Sequence, residues 1–329
     1  MSMSATVAPI ETLPRSARML RTAMGADIAR WLSDPLIIEI MLNPDGRLWI
    51  DRLGEGMAQG GACLSPADGE RIIRLVAHHV GADVHAAAPR VSAELPTTGE
   101  RFEGLLPPVV QAPIFAIRKP ASHVFTLDDY VTSGILTQSQ AALLRQAVDD
   151  RCNILIAGGT GTGKTTLANA LLAQIAHSSD RVVLIEDMRE LQCDAPNKVA
   201  MRTKDGVASL RDLVRSALRL RPDRIPIGEV RGPEALDLLK AWGTGHPGGI
   251  ATIHAGTAMG ALRRLEQLVQ EAVVMVPRPL IAETIDLIAV LARDGSGRRL
   301  TELARVADID QATGDYRLSP HTSSQGEAL

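Results

Sequence analysis

Hydrophobic and polar positions repeat in two different ways along this chain, and the change divides it. In the first third the pattern shifts between helical and strand periods. Ile28, Trp31 and Leu32 share one helical face, while IIEIML and RLWIDR are β-rich runs separated by Asn43-Pro44-Asp45-Gly46. Pro44 fixes φ and Asp45-Gly46 accepts positive φ, so the runs predict a hairpin. SPADGERIIRLVAHHVGADV follows, with Ile72, Ile73, Leu75, Val76 and Val80 on one face of a helix opened by Ser65-Pro66. His78 and His79 there read as surface or packing residues. ERFEGLLPPVVQAPIFAIRK predicts two more strands, broken by Pro107-Pro108. Residues 19–118 therefore form a small α+β domain.

Lys119-Pro120, a helix-like LDDYVTSG and Gly134 then mark residues 119–137 as a linker and hinge. From Gln138 helices alternate with short apolar runs: QSQAALLRQAVDD, NILIAGG, GKTTLANALLAQIA, RVVLIED, SLRDLVRSALRL, IPIGEV, GPEALDLLKAWGTG, GIATIHA and MGALRRLEQLVQEAV. Helices of this length between strands predict an α/β domain over residues 138–309, with a mostly parallel sheet covered on both faces. Residues 1–18 have little periodic signal and predict a disordered tail. So do 310–329, which are small and polar.

Composition narrows the function. The chain has 329 residues, 45% hydrophobic and 22% charged, enough for two cores. A net charge of -3 supplies no global footprint for nucleic acid, and 2% aromatics leave few platforms for stacking bases. Sequence-specific nucleic-acid binding is not expected. Cys63, Cys152 and Cys193 are odd in number and widely spaced, which reads as small buried hydrophobes in a reducing compartment. With no apolar run of membrane-spanning length and no signal-peptide core, a cytoplasmic location is expected.

The strongest chemical signal is Gly158-Gly159-Thr160-Gly161-Thr162-Gly163-Lys164-Thr165, with Thr166 next, between the strand NILIA and a helix. That is the context a phosphate-binding loop needs: glycines turn backbone N–H groups inward, and the helix N-terminus adds its dipole. Lys164 would neutralise the β- and γ-phosphates of ATP, and Thr165 would hold Mg²⁺. At the carboxyl edge of the sheet IPIGEV delivers Glu229, either to position the attacking water or to bind Mg²⁺ through a water. Gly228 stands where many such proteins have aspartate. VVLIED delivers Glu186 and Asp187, with Glu190 one helical turn on; capping or surface carboxylates are the alternative for Asp187 and Glu190. GTGHPGGIATIHAG carries His246 and His254 without cysteine or carboxylate company, so a metal site is not indicated. GIATIHA ends in His254 at the edge shared with Lys164 and Glu229, where an imidazole can hydrogen-bond a γ-phosphate. His246 is either a mobile companion or a structural residue.

Taken together, IAGGTGTGKTTLANAL, LIEDMREL, RLRPDRIPIGEVRGPEALDLLKAWGTGHPGGIATIHAG, EIMLNPDGRLWIDR and GERFEGLLPPV with IRKP resemble the type II/type IV secretion traffic ATPases, and among them the conjugative-transfer, TrbB-type branch. The resemblance spans about residues 19–306. It implies a RecA-like P-loop ATPase domain behind the α+β domain. It also implies a ring-shaped homohexamer, peripheral to the cytoplasmic face of the inner membrane. Such a ring works with other type IV secretion subunits to power pilus assembly and substrate transfer. In its terms Gly158 to Thr165 is Walker A, Glu186-Asp187 to Glu190 an Asp box, IPIGE with Glu229 an atypical Walker B, and His246 to His254 a His box. It also implies that arginines of the N-terminal domain close over the nucleotide, for which Arg101 and Arg118 match. Arg219, Arg221, Arg224 and Arg231 flank the Walker B run as candidates for phosphate or interface contacts, or as ordinary surface ion pairs.

These readings predict phosphoryl transfer to water, with Lys164, Thr165 and Mg²⁺ holding the triphosphate, Glu229 acting on the water, and Glu186 and Asp187 assisting. Two other classes stay open at this point: a ring scaffold that binds ATP with little turnover, and a RecA-like DNA motor. The paired CxxC zinc motifs of type II secretion ATPases are absent from this sequence.

Overall fold

The structure is a computed structural model that describes residues 15–320 apart from 97, 121–123, 177, 205 and 296. Of residues 1–18, expected as a disordered tail, 1–14 lie outside the described set, as do 321–329, while 15–18 are corrected: they open a helix that runs to Ser33. Two compact units meet in the chain, the first ending at Ser122 and the second beginning at His123.

The first unit is a six-stranded sheet built from β1 (Ile37–Leu42), β2 (Arg47–Arg52), β3 (Gly56–Cys63), β4 (Arg90–Glu94), β5 (Arg101–Leu105) and β6 (Ile114–Arg118), with helices α1 (Arg15–Ser33) and α2 (Pro66–His79). The order is β3-β2-β1-β6-β5-β4 and every pairing is antiparallel. Alternation along the strands sends Ile40, Leu42, Leu48, Phe102, Phe115 and Ile117 into one core with Ile28, Trp31, Ile72, Ile73 and Val76 from the helices. The expected hairpin is present, with Leu42 opposite Leu48. Ser65 caps α2 through Asp68 N, and Pro66 opens it. His78 and His79 are exposed at its end. The strands β3 and β4 exceed the pattern's prediction. β3 is a glycine-rich edge strand whose residues are mostly outside the core, so it shows no apolar period.

The second unit begins with α3 (Leu127–Thr132) and α4 (Gln138–Asp149), each opened by a capping box, Thr126 with Asp129 and Thr137 with Gln140. The linker region thus contains a helix with a defined start. Next come β7 (Ile154–Gly158), α5 (Lys164–Ile175), β8 (Val182–Glu186), β9 (Lys198–Arg202), α6 (Leu210–Ala217), α7 (Glu234–Gly243), β10 (Ile250–Ile253), α8 (Ala258–Gln270) and α9 (Arg278–Thr284). β11 (Leu287–Asp294), β12 (Gly297–Ile309) and β13 (Tyr316–Pro320) complete the unit.

Its strand order is β10-β7-β11-β12-β13, with β8-β9 joined to β10 through residues 224–227. That run bonds both neighbours: Gly228 N reaches Ile185 O at 2.9 Å, and Ile227 N reaches Ile250 O at 2.8 Å. Pro226 has no N–H to give, which keeps the run from forming a longer ladder. The pairings β8-β9, β10-β7 and β7-β11 are parallel, whereas β11-β12 and β12-β13 are antiparallel. The sheet is therefore mixed, a correction to the mostly parallel sheet expected from helix–strand alternation. The alternation stops after α9, and the chain then returns through hairpins, which need no crossover helix.

The polar tail expected from residue 310 is corrected as well. Asp310 and Asp315 close a turn through a 2.8 Å backbone bond, and β13 returns along β12 with Tyr316 only 5% exposed. A turn of Asp, Thr and Gly looks like the start of a solvated tail until the strand behind it is counted.

Two buried clusters fill the faces of this sheet. Ile154, Ile156, Leu184 and Leu291 pack with α3, α4 and α5 on one side, and Leu155, Ile185, Ile227 and Val290 with α7, α8 and α9 on the other. β7 is buried at every residue, as a strand covered on both faces must be.

Candidate functional site

The phosphate loop follows β7 directly. Close packing excludes a side chain at Gly158, where a Cβ would lie 2.5 Å from both Leu291 O and Thr162 Oγ1. Gly163 caps α5 with φ 96°, a left-handed conformation open to glycine at little cost. Thr162 Oγ1 donates to Gly159 O at 2.9 Å and Lys164 Nζ donates to the same carbonyl at 3.0 Å. The lysine is 8% exposed, drawn across the loop at a helix N-terminus. Gly159, Thr160 and Gly161 are exposed around it, and Thr165 and Thr166 are half-buried on the first turn of α5. This arrangement suits polyphosphate: an ammonium, inward-turned amides and a helix dipole converge on one spot.

On the β10 side of the loop, His254 stands between Lys164 and Glu229. Its Nδ1 is 3.5 Å from Lys164 Nζ and its Nε2 is 2.8 Å from Glu229 Oε1. An ammonium can only donate, so Nδ1 accepts and the ring proton sits on Nε2, facing the carboxylate. That second contact is close but poorly aligned, and Glu229 Oε1 is left without an aligned donor although it is buried. Arg231 takes the other oxygen, Nη2 to Oε2 at 2.5 Å, and reaches Asp187 Oδ2 at 3.6 Å. The hydrogen bond that Arg231 donates to Glu229 is the main reason its guanidinium pKa is raised. Asp187 in turn accepts from Thr203 Oγ1 at 3.0 Å. A polar chain thus runs Lys164, His254, Glu229, Arg231, Asp187.

Glu186 behaves differently from its neighbour. It is 2% exposed, and its Oε2 accepts from Glu190 N and Leu191 N, both at 2.8 Å. Burial pushes its carboxyl upward, opposed by those two amides. Its contacts are structural: it pins the loop after β8. Asn169, buried inside α5, pins the same loop from the other side, giving Nδ2 to Glu190 O at 3.0 Å and accepting from Gln192 N at 2.9 Å. The loop sets Glu190 Oε2 3.2 Å from Thr165 Oγ1. Glu190 follows a bend at residues 187–189 and is not on a helix, which corrects the expected helical turn while leaving the residue beside Thr165.

Sequence reasoning missed Asn169. Its only signal is an amide among apolar helix positions in TLANALL, where a polar group that cannot reach water needs a partner.

Gly228 also finds a reason here. A Cβ at that position would lie 3.0 Å from the Glu186 Cβ. An aspartate would crowd a second carboxylate onto the first, so the usual Walker B acid would fit only if Glu186 gave way.

The two histidines separate. His246 precedes β10 and His254 follows it, so they lie at opposite ends of the strand. His246 Nδ1 contacts Pro222 O at 2.9 Å, where the carbonyl accepts and the ring donates. Arg224 is at that same far end, buried with Asp180 at 2.6 Å and donating to Val148 O at 3.0 Å. Arg219 and Arg221 are exposed on the turn before it. Of the four flanking arginines only Arg231 joins the polar chain.

Arg101 and Arg118 belong to the first unit, where they are cross-strand partners on β5 and β6, with Glu39 opposite Arg118 on β1. Burial raises the Glu39 carboxyl, and Arg118 and Arg101 pull it back down. Both arginines lie on the sheet face away from the buried Phe102 and Ile117. Among the described residues no group of three or more His, Cys, Asp or Glu is placed to hold a metal ion by itself. Of the cysteines only Cys193 is buried; Cys63 is exposed and Cys152 half-buried, so the expectation of three buried thiols fails for two. No described helix is long and apolar enough to cross a membrane.

Comparison with known proteins places the chain. Residues 89–314 match the family model described as "Type II/IV secretion system protein". The conjugal transfer protein TrbB of Rhizobium radiobacter is 51% identical over 295 residues, covering 89% of this chain and 91% of that protein. The type IV secretion system protein PtlH of Bordetella pertussis is 36% identical over 316 residues, covering 85% and 91%. Among solved structures, the Legionella pneumophila ATPase DotB superposes with a TM-score of 0.57 at 20% identity over 90% of this chain and 80% of that one, a likeness of fold. The chain belongs to the type II/IV secretion system protein family, in its conjugal-transfer, TrbB-type branch, and is a P-loop traffic ATPase of that family.

Proposed function

We propose that this ATPase works as a homohexameric ring peripheral to the inner membrane, converting ATP hydrolysis into domain motion that powers pilus assembly and substrate transfer in a conjugation system. The observation that carries the catalytic part is the chain from Lys164 through His254 to Glu229. It ties the group that meets the terminal phosphates to the carboxylate best placed to act on water. Glu229 suits that task because Arg231 holds one of its oxygens while the other is buried without an aligned donor. That second oxygen would accept a hydrogen bond from the attacking water.

The Walker A backbone, Lys164 and the first turn of α5, from Gly158 to Thr166, would cradle the triphosphate. Thr165 and Glu190 offer two hard oxygens 3.2 Å apart at the helix N-terminus, which fits Mg²⁺ bound by phosphate, protein oxygens and water. Mg²⁺ bound there would neutralise phosphate charge. Glu229, expected as a metal contact, is assigned instead to the water. Asp187 orients Arg231. Glu186 is a positioning residue that acts through Glu190. His254 reports the γ-phosphate to Glu229, and Arg101 and Arg118 are nucleotide-binding candidates on the first unit.

Support for the conjugation role comes from the relatives named for conjugal transfer and type IV secretion. The test compares wild type with Glu229→Gln for ATP binding, ATP hydrolysis and oligomer mass in the same samples. The motor reading expects both proteins to bind ATP and form hexamers, with turnover falling about 10²-fold or more in the variant. ATP-driven ring assembly without hydrolysis by wild type, even with lipid present, would replace the motor with a scaffold.

A further inference from the structure

Within the second unit, the strand-end groups assigned so far lie on one side of the phosphate loop. The sheet order β10-β7-β11 puts His254 on the β10 side, and the β11-β12 hairpin stands on the other. Leu291 on β11 lies opposite Gly158, and two residues further along β11 Arg293 faces Arg298 of β12. A Cβ on Gly163 would lie 3.6 Å from Arg298 Cδ and 3.9 Å from its Nε and Nη1. The guanidinium therefore lies over the glycine that caps α5.

Alternation along β12 puts Arg298 on the face of Leu300, which is buried with Leu291, Leu167 and Tyr130. Leu300 N also donates to Ile135 O at 3.0 Å. The positive charge of Arg298 acts on the Tyr130 phenol, opposing the burial that raises it. Arg299, next in sequence, is exposed on the opposite face. Arg298 is thus a half-buried cation on the same face as α5 and directed at its N-terminus.

We propose that Arg298 binds the non-reacting end of the nucleotide, donating to the α-phosphate where the phosphate chain leaves the loop on the side away from Glu229. The inference rests on the ATPase reading of the loop. With Lys164 and His254 fixing the reacting end on the β10 side, the remaining phosphate and the nucleoside leave toward β11 and β12. A planar fork of donors on a strand end is suited to phosphate oxygens. Because the α-phosphate changes little during hydrolysis, the contact strengthens ground state and transition state alike. It acts on KM and leaves kcat alone.

The experiment measures Kd for fluorescent ADP and ATP, together with KM and kcat, on the full chain carrying Arg298→Ala, Arg298→Lys or Arg299→Ala. Expected is a loss of about tenfold in affinity for ADP and ATP equally in Arg298→Ala, the size of one charge-assisted contact. Turnover at saturation stays within about twofold of wild type. Arg298→Lys recovers part of the affinity, and Arg299→Ala matches wild type. If Arg298→Ala fails to fold, the lysine variant decides, since a packing role would leave its nucleotide affinity at the wild-type value. Unchanged affinity in Arg298→Ala, or a loss confined to ATP and accompanied by lower kcat, overturns the inference while the ATPase reading stands. A wild-type chain that binds neither nucleotide overturns both.

Discussion

Gly228 and Glu186 approach so closely that a Cβ on the glycine would stand 3.0 Å from the Cβ of the glutamate. Glu186 cannot give way easily, because its carboxylate is buried and fixed by two amides of the following loop. Gly228→Ala should cost about 1 kcal/mol or more by overpacking, and Gly228→Asp more, since it adds a second buried carboxylate. Thermal melts of the two variants check this. A Gly228→Asp protein as stable as wild type would show that the site has room for the usual acid.

The raised Glu186 carboxyl makes a pH prediction with a definite sign. Its main cause is burial, so the folded protein holds the proton to higher pH than the unfolded chain, whose carboxyl titrates near 4.5. Folded chains therefore bind more protons in the window just above 4.5, and stability falls as pH rises through it. Glu186→Gln keeps an acceptor for both amides and cannot ionise. It should remove that slope and retain most hydrolysis, because Glu190 stays in place. Urea melts across the acidic range provide the comparison. An identical slope in wild type and variant would assign the effect to another group.

Breaking the buried pair at the far end of the sheet separates stability from chemistry. Arg224 and Asp180 are each about 5% exposed, and among the described residues Arg224→Ala leaves the Asp180 carboxylate with the contact from Arg151. The expected loss is about 3–5 kcal/mol. Calorimetry reads that loss, while ATP affinity measured well below the melting point should hold. A stable variant with weakened nucleotide binding would return Arg224 to the phosphate contacts from which the geometry removes it.

Much of this architecture is legible in the sequence because it is written in local terms. Strand NILIA followed by G-x-x-x-x-G-K-T needs no tertiary information, and neither do the Ser65-Pro66 and Thr137-x-x-Gln140 helix starts. The antiparallel end of the second sheet is less visible. β12 interleaves the charged Arg298, Arg299, Glu302 and Arg305 with its buried residues, and its return partner hides behind a polar turn. Within the site, Lys164 announces itself by the loop motif at the start of α5, and Glu229 and His254 by following short apolar strand-like runs. The distinction between Asp187 and Glu186 does not, because adjacent residues at a strand tip face opposite ways and only packing says which faces the core. Asn169 and Arg298 depend on contacts across more than 20 residues of sequence or across the sheet. His246 looked paired with His254 only because a four-residue strand between them is short in sequence while its two ends are at opposite edges of the sheet.

Thr165 and Glu190 should behave as one unit. Their 3.2 Å contact is the place where protein oxygens can share a divalent cation. Glu190→Gln is expected to weaken Mg²⁺ dependence about tenfold, seen as a higher Mg²⁺ concentration for half-maximal hydrolysis. Thr165→Ala should do the same, and the double variant should lose less than the product of the two. Independent losses that multiply would place Glu190 outside the metal's surroundings.

His254 offers the sharpest test of the chain between phosphate and water. Its Nδ1 accepts from Lys164 and its Nε2–H faces Glu229, so its removal should cut communication without removing either end. His254→Ala is expected to bind ATP with affinity within a few-fold of wild type while kcat falls about tenfold or more. Combined with Glu229→Gln, it should add little, because the carboxylate through which it acts is already disabled. Contacting residues of this kind give coupling of about 0.5–3 kcal/mol in a double-mutant cycle. Additive losses would mean that His254 acts on the phosphate alone, and that its contact with Glu229 plays no part in turnover.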